Sequence, residues 1–113
     1  MAILALVSDL VFEAKIRATA QQLNVGVRTA RTPEEALAAV ADAAALIVDL
    51  NVERGDPVEL VRQVRAARPG MPIVCFFPHV QTGLKRAAQA AGADDVLPRS
   101  IFTESLSAIL RRL

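Results

Sequence analysis

Apolar residues along this chain follow two rhythms. Short continuous runs at "ILALVS" (3–8), "AALIVDL" (44–50) and "IVCFF" (73–77) show no alternation, as expected of strands buried on both faces. Between them, apolar positions return at helical spacing. In "VFEAKIRATAQQL" (11–23), Val11, Ile16, Ala20 and Leu23 mark one helical face, with Gly26 as the stop. "GVRTA" (26–30) is short and β-branched, which predicts an edge strand. A second helix is predicted over 32–44, where Thr32 caps, Pro33 fills the first helical position and Glu35 completes a capping box. The same device recurs with Asp56, Pro57 and Glu59, opening a helix over 56–67 whose Val58, Val61 and Val64 stripe lies beside a basic face carrying Arg65. "RPGMP" (68–72) is a turn, "TGLKRAAQAAG" (82–92) a helix stopped by Gly92, and "DVLP" (95–98) a fifth strand. The last helix, "TESLSAILRRL" (103–113), aligns Leu106, Ile109, Leu110 and Leu113.

Five strands alternating with five helices, the central strands apolar throughout, predict a parallel sheet covered on both faces by right-handed crossovers. The expected fold is a doubly wound α/β domain over residues 1–113, with no repeat or linker. Composition agrees: 113 residues, 53% hydrophobic and 22% charged, fit one core. Thirteen Lys or Arg against 12 Asp or Glu leave a net charge of +1, which gives no field for nucleic acid or an anionic membrane. The lone Cys75 forms no internal disulfide and no cysteine-based zinc site, so a reducing, cytoplasmic setting is expected. "MAILALVSD" has no basic leader region, and no apolar run reaches membrane-span length.

In such sheets, function gathers outside the carboxyl ends of the strands, where strand order reverses. Those ends supply Ser8 and Asp9, then Asp49, then Phe77 and Pro78, then Arg99. Neighbouring strands lie about 4.8 Å apart, so Asp9 and Asp49 are placed to share a ligand, with Arg99 reaching over them. The stretches "LVSD", "LIVDLN", "MPIVCFFPH" and "AGADDVLPRS" (91–100), in this order and spacing, resemble the receiver domain of two-component response regulators over essentially the whole chain. The last is similar to that family's Gly-Ala-Asp-Asp-Tyr-Leu-x-Lys-Pro. The resemblance implies a flavodoxin-like sheet of strand order 2-1-3-4-5. It puts Asp49 at the phosphoacceptor position and Asp9 at a magnesium-binding acid, with Asp49 and the Asn51 backbone carbonyl completing the metal set. Departures from the pattern are concentrated at the same site. Ser8 replaces the first of two acids, Phe77 a hydroxyl residue, Val96 an aromatic switch residue, Arg99 a lysine and Ser100 a proline. Val52 and Glu53 stand for Met-Pro after Asp49, and Pro57 for a later glycine.

Phosphoryl transfer to an aspartate is catalysed by positioning and by cations that offset charge on the transferring group. Asp49, Asp9 and Arg99 keep part of that set; Ser8 and Phe77 remove part. Each lost charge-assisted contact is worth roughly 1.5–3 kcal/mol, so two losses slow transfer by about 10² to 10⁴. The expected protein is therefore a degenerate, non-enzymatic receiver acting through protein contacts, with weak or no phosphorylation at Asp49 and weak or no magnesium. The alternative is a working phosphoacceptor with magnesium. By resemblance the contact face is the fourth helix, fifth strand and fifth helix, where Lys85, Arg86, Gln89, Val96, Arg111 and Arg112 are expected exposed, meeting a histidine kinase, an effector or a second copy. The plainer expectations are that Asp49 pairs with Arg99, Phe77 covers the pocket, Cys75 fills core, His79 is solvated, and Arg111 and Arg112 complement a helix dipole. A flavin or small-ligand site is disfavoured, since "SDLVFEAK" lacks the Gly, Ser or Thr density that wraps a phosphate.

Overall fold

The apolar runs become five parallel strands: β1 (Ala2–Leu6), β2 (Val27–Ala30), β3 (Ala43–Asp49), β4 (Ile73–Phe77) and β5 (Asp95–Pro98). The structure is a computed structural model that describes residues 1–78 and 82–113, so the expectation for His79 lies outside the described residues. Strand order is β2-β1-β3-β4-β5 with every pairing parallel, as expected. Helices α1 (Leu10–Gln22), α2 (Pro33–Ala39), α3 (Pro57–Ala67), α4 (Thr82–Ala91), α5 (Arg99–Glu104) and α6 (Leu106–Arg112) complete the doubly wound arrangement. Alternate strand residues feed two apolar layers. Leu4, Leu6, Leu46, Val48, Cys75 and Phe77 pack with Leu60, Val61, Val64, Ala88 and Val96. Ile3, Ala5, Val7, Ile47 and Phe76 pack on the other face with Phe12, Ile16, Phe102, Ile109 and Leu110. No helix among the described residues is long and apolar enough to cross a membrane.

Helix starts follow the capping chemistry. The Thr32 and Asp56 side chains accept from the Glu35 and Glu59 amides at 3.1 and 3.0 Å, each with a proline in the first turn. Helix ends depart from expectation, because tertiary pairing decides them. The second helix stops at Ala39 and continues only as a 3-10 turn, Val40–Asp42, because Ala43 is taken into the sheet opposite Ala2. Arg68 satisfies the freed backbone by donating to the Val40 carbonyl at 2.8 Å and to that of Ala43. The first helix ends at Leu23 with Asn24 in the left-handed region, φ 59°, and not at Gly26, whose carbonyl instead accepts from Ile3 at the sheet. Val11 is 81% exposed, and the buried stripe runs through Phe12, Ile16 and Ala20. Arg65 lies on no free basic face: its guanidinium binds the Gly92, Pro69 and Met71 carbonyls and Asp94. The last helical stretch begins at Arg99, not 103, and breaks at Ser105. Val96, expected on the exposed contact face, is 5% exposed, since its side chain points into the layer under α4.

Candidate functional site

Asp9 follows β1 and caps α1. One carboxylate oxygen, Oδ1, accepts from the amides of Val11 (2.9 Å) and Phe12 (3.1 Å). Its other oxygen accepts from Arg99 at 3.0 Å, joining positions 90 residues apart in sequence. The Phe12 amide first, and the Arg99 hydrogen bond next, hold Asp9's carboxyl below the usual range. Asp49 closes β3 in the centre of the sheet and is 5% exposed. Its Oδ1 accepts from the Asn51 amide at 2.8 Å, the one hydrogen bond to this carboxylate among the described residues. Burial, above all, pushes Asp49 upward; the Asn51 hydrogen bond and the charge of Arg99 pull back, and the charge of Asp9 adds to the rise.

Arg99 meets Asp9 beside the strand ends, and the charges of both act on Asp49; the expected Asp49–Arg99 pair is corrected, since Arg99 hydrogen-bonds Asp9. The physical reason is the platform beneath it. The Arg99 guanidinium carbon lies 4.3 Å from the centre of the Phe12 ring, within cation–π range. Phe12 is itself packed against Phe76 (5.0 Å) and Phe102 (5.9 Å), which stack on each other at 4.4 Å. Thr103 Oγ1 donates to the Arg99 carbonyl at 2.8 Å and pins the start of α5. The aromatic ring at the notch's cation is Phe12, not Phe77. Phe77 is 3% exposed and lies in the opposite apolar layer with Val96, so the two expected switch positions share a core environment. Phe12 and its aromatic partners were missed because the helical phase was anchored on Val11. The spacing Phe12, Ile16, Ala20 was the available signal.

Beside the notch, α1 is tied to β2 by a second cluster. Glu13, nearly buried, accepts from Thr29 Oγ1 at 2.8 Å and lies 3.3 Å from Arg17 and 3.5 Å from Arg31. The Thr29 hydrogen bond leads the causes that hold Glu13 below its usual range. Cys75 is fully buried in β4, and burial raises its thiol to about 12, which leaves it inert.

No protein-family model matches the chain. It is 32% identical over 115 residues to the response regulator MprA of Mycobacterium leprae, a match that covers all of this chain and 50% of that protein. Among solved structures, the chemotaxis response regulator CheY4 of Vibrio cholerae superposes with a TM-score of 0.84 at 27% identity, covering 99% of this chain and 98% of that one. Its fold is that of CheY-like response-regulator receiver domains. A receiver domain protein from Methanospirillum hungatei gives a TM-score of 0.87 at 18% identity, over 98% of this chain and 90% of that one, a likeness of fold. The chain spans half the length of the M. leprae protein.

Receivers generally bind magnesium at the phosphorylation site. Magnesium demands near-octahedral oxygen ligands and gives up its water reluctantly. In this chain Asp9 has both oxygens engaged, position 8 is a half-buried serine, and a guanidinium lies against Asp9. No group of three or more His, Cys, Asp or Glu side chains gathers to hold a metal among the described residues. The residues present do not fit a divalent ion in this arrangement.

Proposed function

We propose that this receiver is degenerate: it signals through protein contacts, with weak or no phosphoryl transfer to Asp49. The single observation that supports this most is the commitment of Asp9 to Arg99 and to the first turn of α1. Transfer to Asp49 requires cationic stabilisation of the moving phosphoryl group, and Arg99, the cation beside it among the described residues, is spent on the neighbouring acid. Phe77 adds to it, because a phenyl ring donates no hydrogen bond to a phosphoryl oxygen.

Residues 1–113 form one receiver unit in this proposal, working in the cytoplasm without turning over a substrate. Its partner is a histidine kinase, an effector or a second copy, met through α4, β5 and the C-terminal helices. Lys85, Arg86 and Gln89 on α4 and Arg111 and Arg112 on α6 are exposed, and Arg112 also pairs with Asp95 at 3.2 Å. The basic character of that face favours a partner that presents acidic side chains.

One observation favours the alternative of a working phosphoacceptor: the second Asp49 oxygen carries no hydrogen bond among the described residues. Incubation with a small phosphodonor and magnesium, followed by intact mass measurement, decides between them. The expected result is an unchanged mass. Stoichiometric phosphoryl addition, lost in Asp49→Asn, establishes the alternative.

A further inference from the structure

We infer that Arg99 is the resident counter-cation of the notch, occupying the charge role of a divalent ion and excluding one. This inference rests on the degenerate reading and deepens it by naming the residue that closes the site.

Charge balance comes first. Two carboxylates, Asp9 and Asp49, face one guanidinium. A divalent ion entering while Arg99 stays leaves the notch net positive, so ion and guanidinium exclude one another. An acid at position 8 would restore neutrality, and Ser8 does not.

Anchoring comes second. Arg99 is no free surface arm: its head lies 4.3 Å from the Phe12 ring centre and its side chain is 33% exposed. Phe12 is fixed by Phe76 and Phe102, and Arg99's own carbonyl is held by Thr103. To reach Asp9, magnesium must therefore displace a stacked, hydrogen-bonded cation and shed water for a single released oxygen. A guanidinium stays charged at any working pH and is weakly hydrated, so it gives up little on staying put.

The test is calorimetric titration of the purified chain with magnesium chloride at matched ionic strength. Wild type, R99Q and R99K are compared, and the same substitutions are repeated in an S8D background, where the added acid strengthens binding enough to measure. Circular dichroism confirms that each variant is folded. R99Q is expected to bind magnesium about ten- to a hundredfold more tightly than its parent, the equivalent of one charge-assisted contact. R99K, which keeps the charge and loses the planar stack, is expected between the two. Equal affinities for parent and R99Q in both backgrounds overturn the inference. So does an R99K affinity equal to that of R99Q, since charge would then not be the cause. Failure here is distinct from failure of the degenerate reading. A chain that takes up a phosphoryl group at Asp49 while R99Q still gains magnesium affinity removes that reading and leaves Arg99's role standing. Affinity unaffected by R99Q, with no phosphoryl uptake, does the reverse.

Discussion

Asp49 is a carboxyl group whose burial outweighs the help it receives. Its folded affinity for the proton is raised above the ordinary value of 3.8. The stability linked to that proton is fully present below pH 3.8 and is lost as pH rises through the folded value. Asp49→Asn, which keeps an oxygen for the Asn51 amide and removes the desolvated charge, is therefore expected to be more stable than wild type at about pH 7 and to lose that advantage at about pH 4. Urea denaturation at the two pH values checks it; an equal difference at both pH values contradicts it. Asp9 has the opposite sign. Its carboxyl is held low, so its contribution is present above 3.8 and lost as pH falls through the folded value. At this scale the sequence located Asp9, Asp49 and Arg99, because a polar residue ending an apolar strand has few other places to be. It did not reveal which acid Arg99 pairs with. That choice is made by Phe12, whose inward orientation follows from a helical phase that runs through Phe12, Ile16 and Ala20 and not through Val11.

Elements begin where local chemistry says and end where neighbours say. The Thr32 and Asp56 caps were plain in the sequence because a cap, a proline and a glutamate satisfy the first-turn amides without outside help. The ends of α1 and α2 were not, since Gly26 and Ala43 are drawn into the sheet. Nor was the start of α5, where Arg99 leads straight from β5 into helix. Gly92 shows both influences. It stops α4 at φ 118°, and a Cβ there would stand 2.6 Å from Arg65 Cγ, in the side chain that ties α3 to the loop before β5. Gly92→Ala is expected to cost about 1–3 kcal/mol. Gly26→Ala, whose nearest contact would be an ordinary 3.6 Å and whose φ is unstrained, should lie within about 0.5 kcal/mol of wild type. Chemical denaturation of both variants checks the pair, and equal losses would mean that backbone conformation at Gly92 is not what matters.

For the molecule as a whole, strand order 2-1-3-4-5 sets β1 and β3 side by side and carries Asp9 and Asp49 to one edge. The continuous apolar strands made that architecture legible, because only a sheet covered on both faces uses them. The same sheet sorts Phe77 and Val96 into one buried layer and Phe12, Phe76 and Phe102 into the other. The acidic notch therefore rests on the aromatic layer, while the positions resembling a switch lie behind it. The central claim is that Arg99 and the α1 cap have closed this notch to a metal and a phosphoryl group. Its most direct test is the amide spectrum of the ¹⁵N-labelled chain titrated with magnesium and beryllofluoride, a phosphoryl mimic. The expected result is no saturable shift at Ser8, Asp9, Asp49 or Asn51. Saturable shifts at those residues that spread to Phe77, Val96 and α4 would contradict the claim.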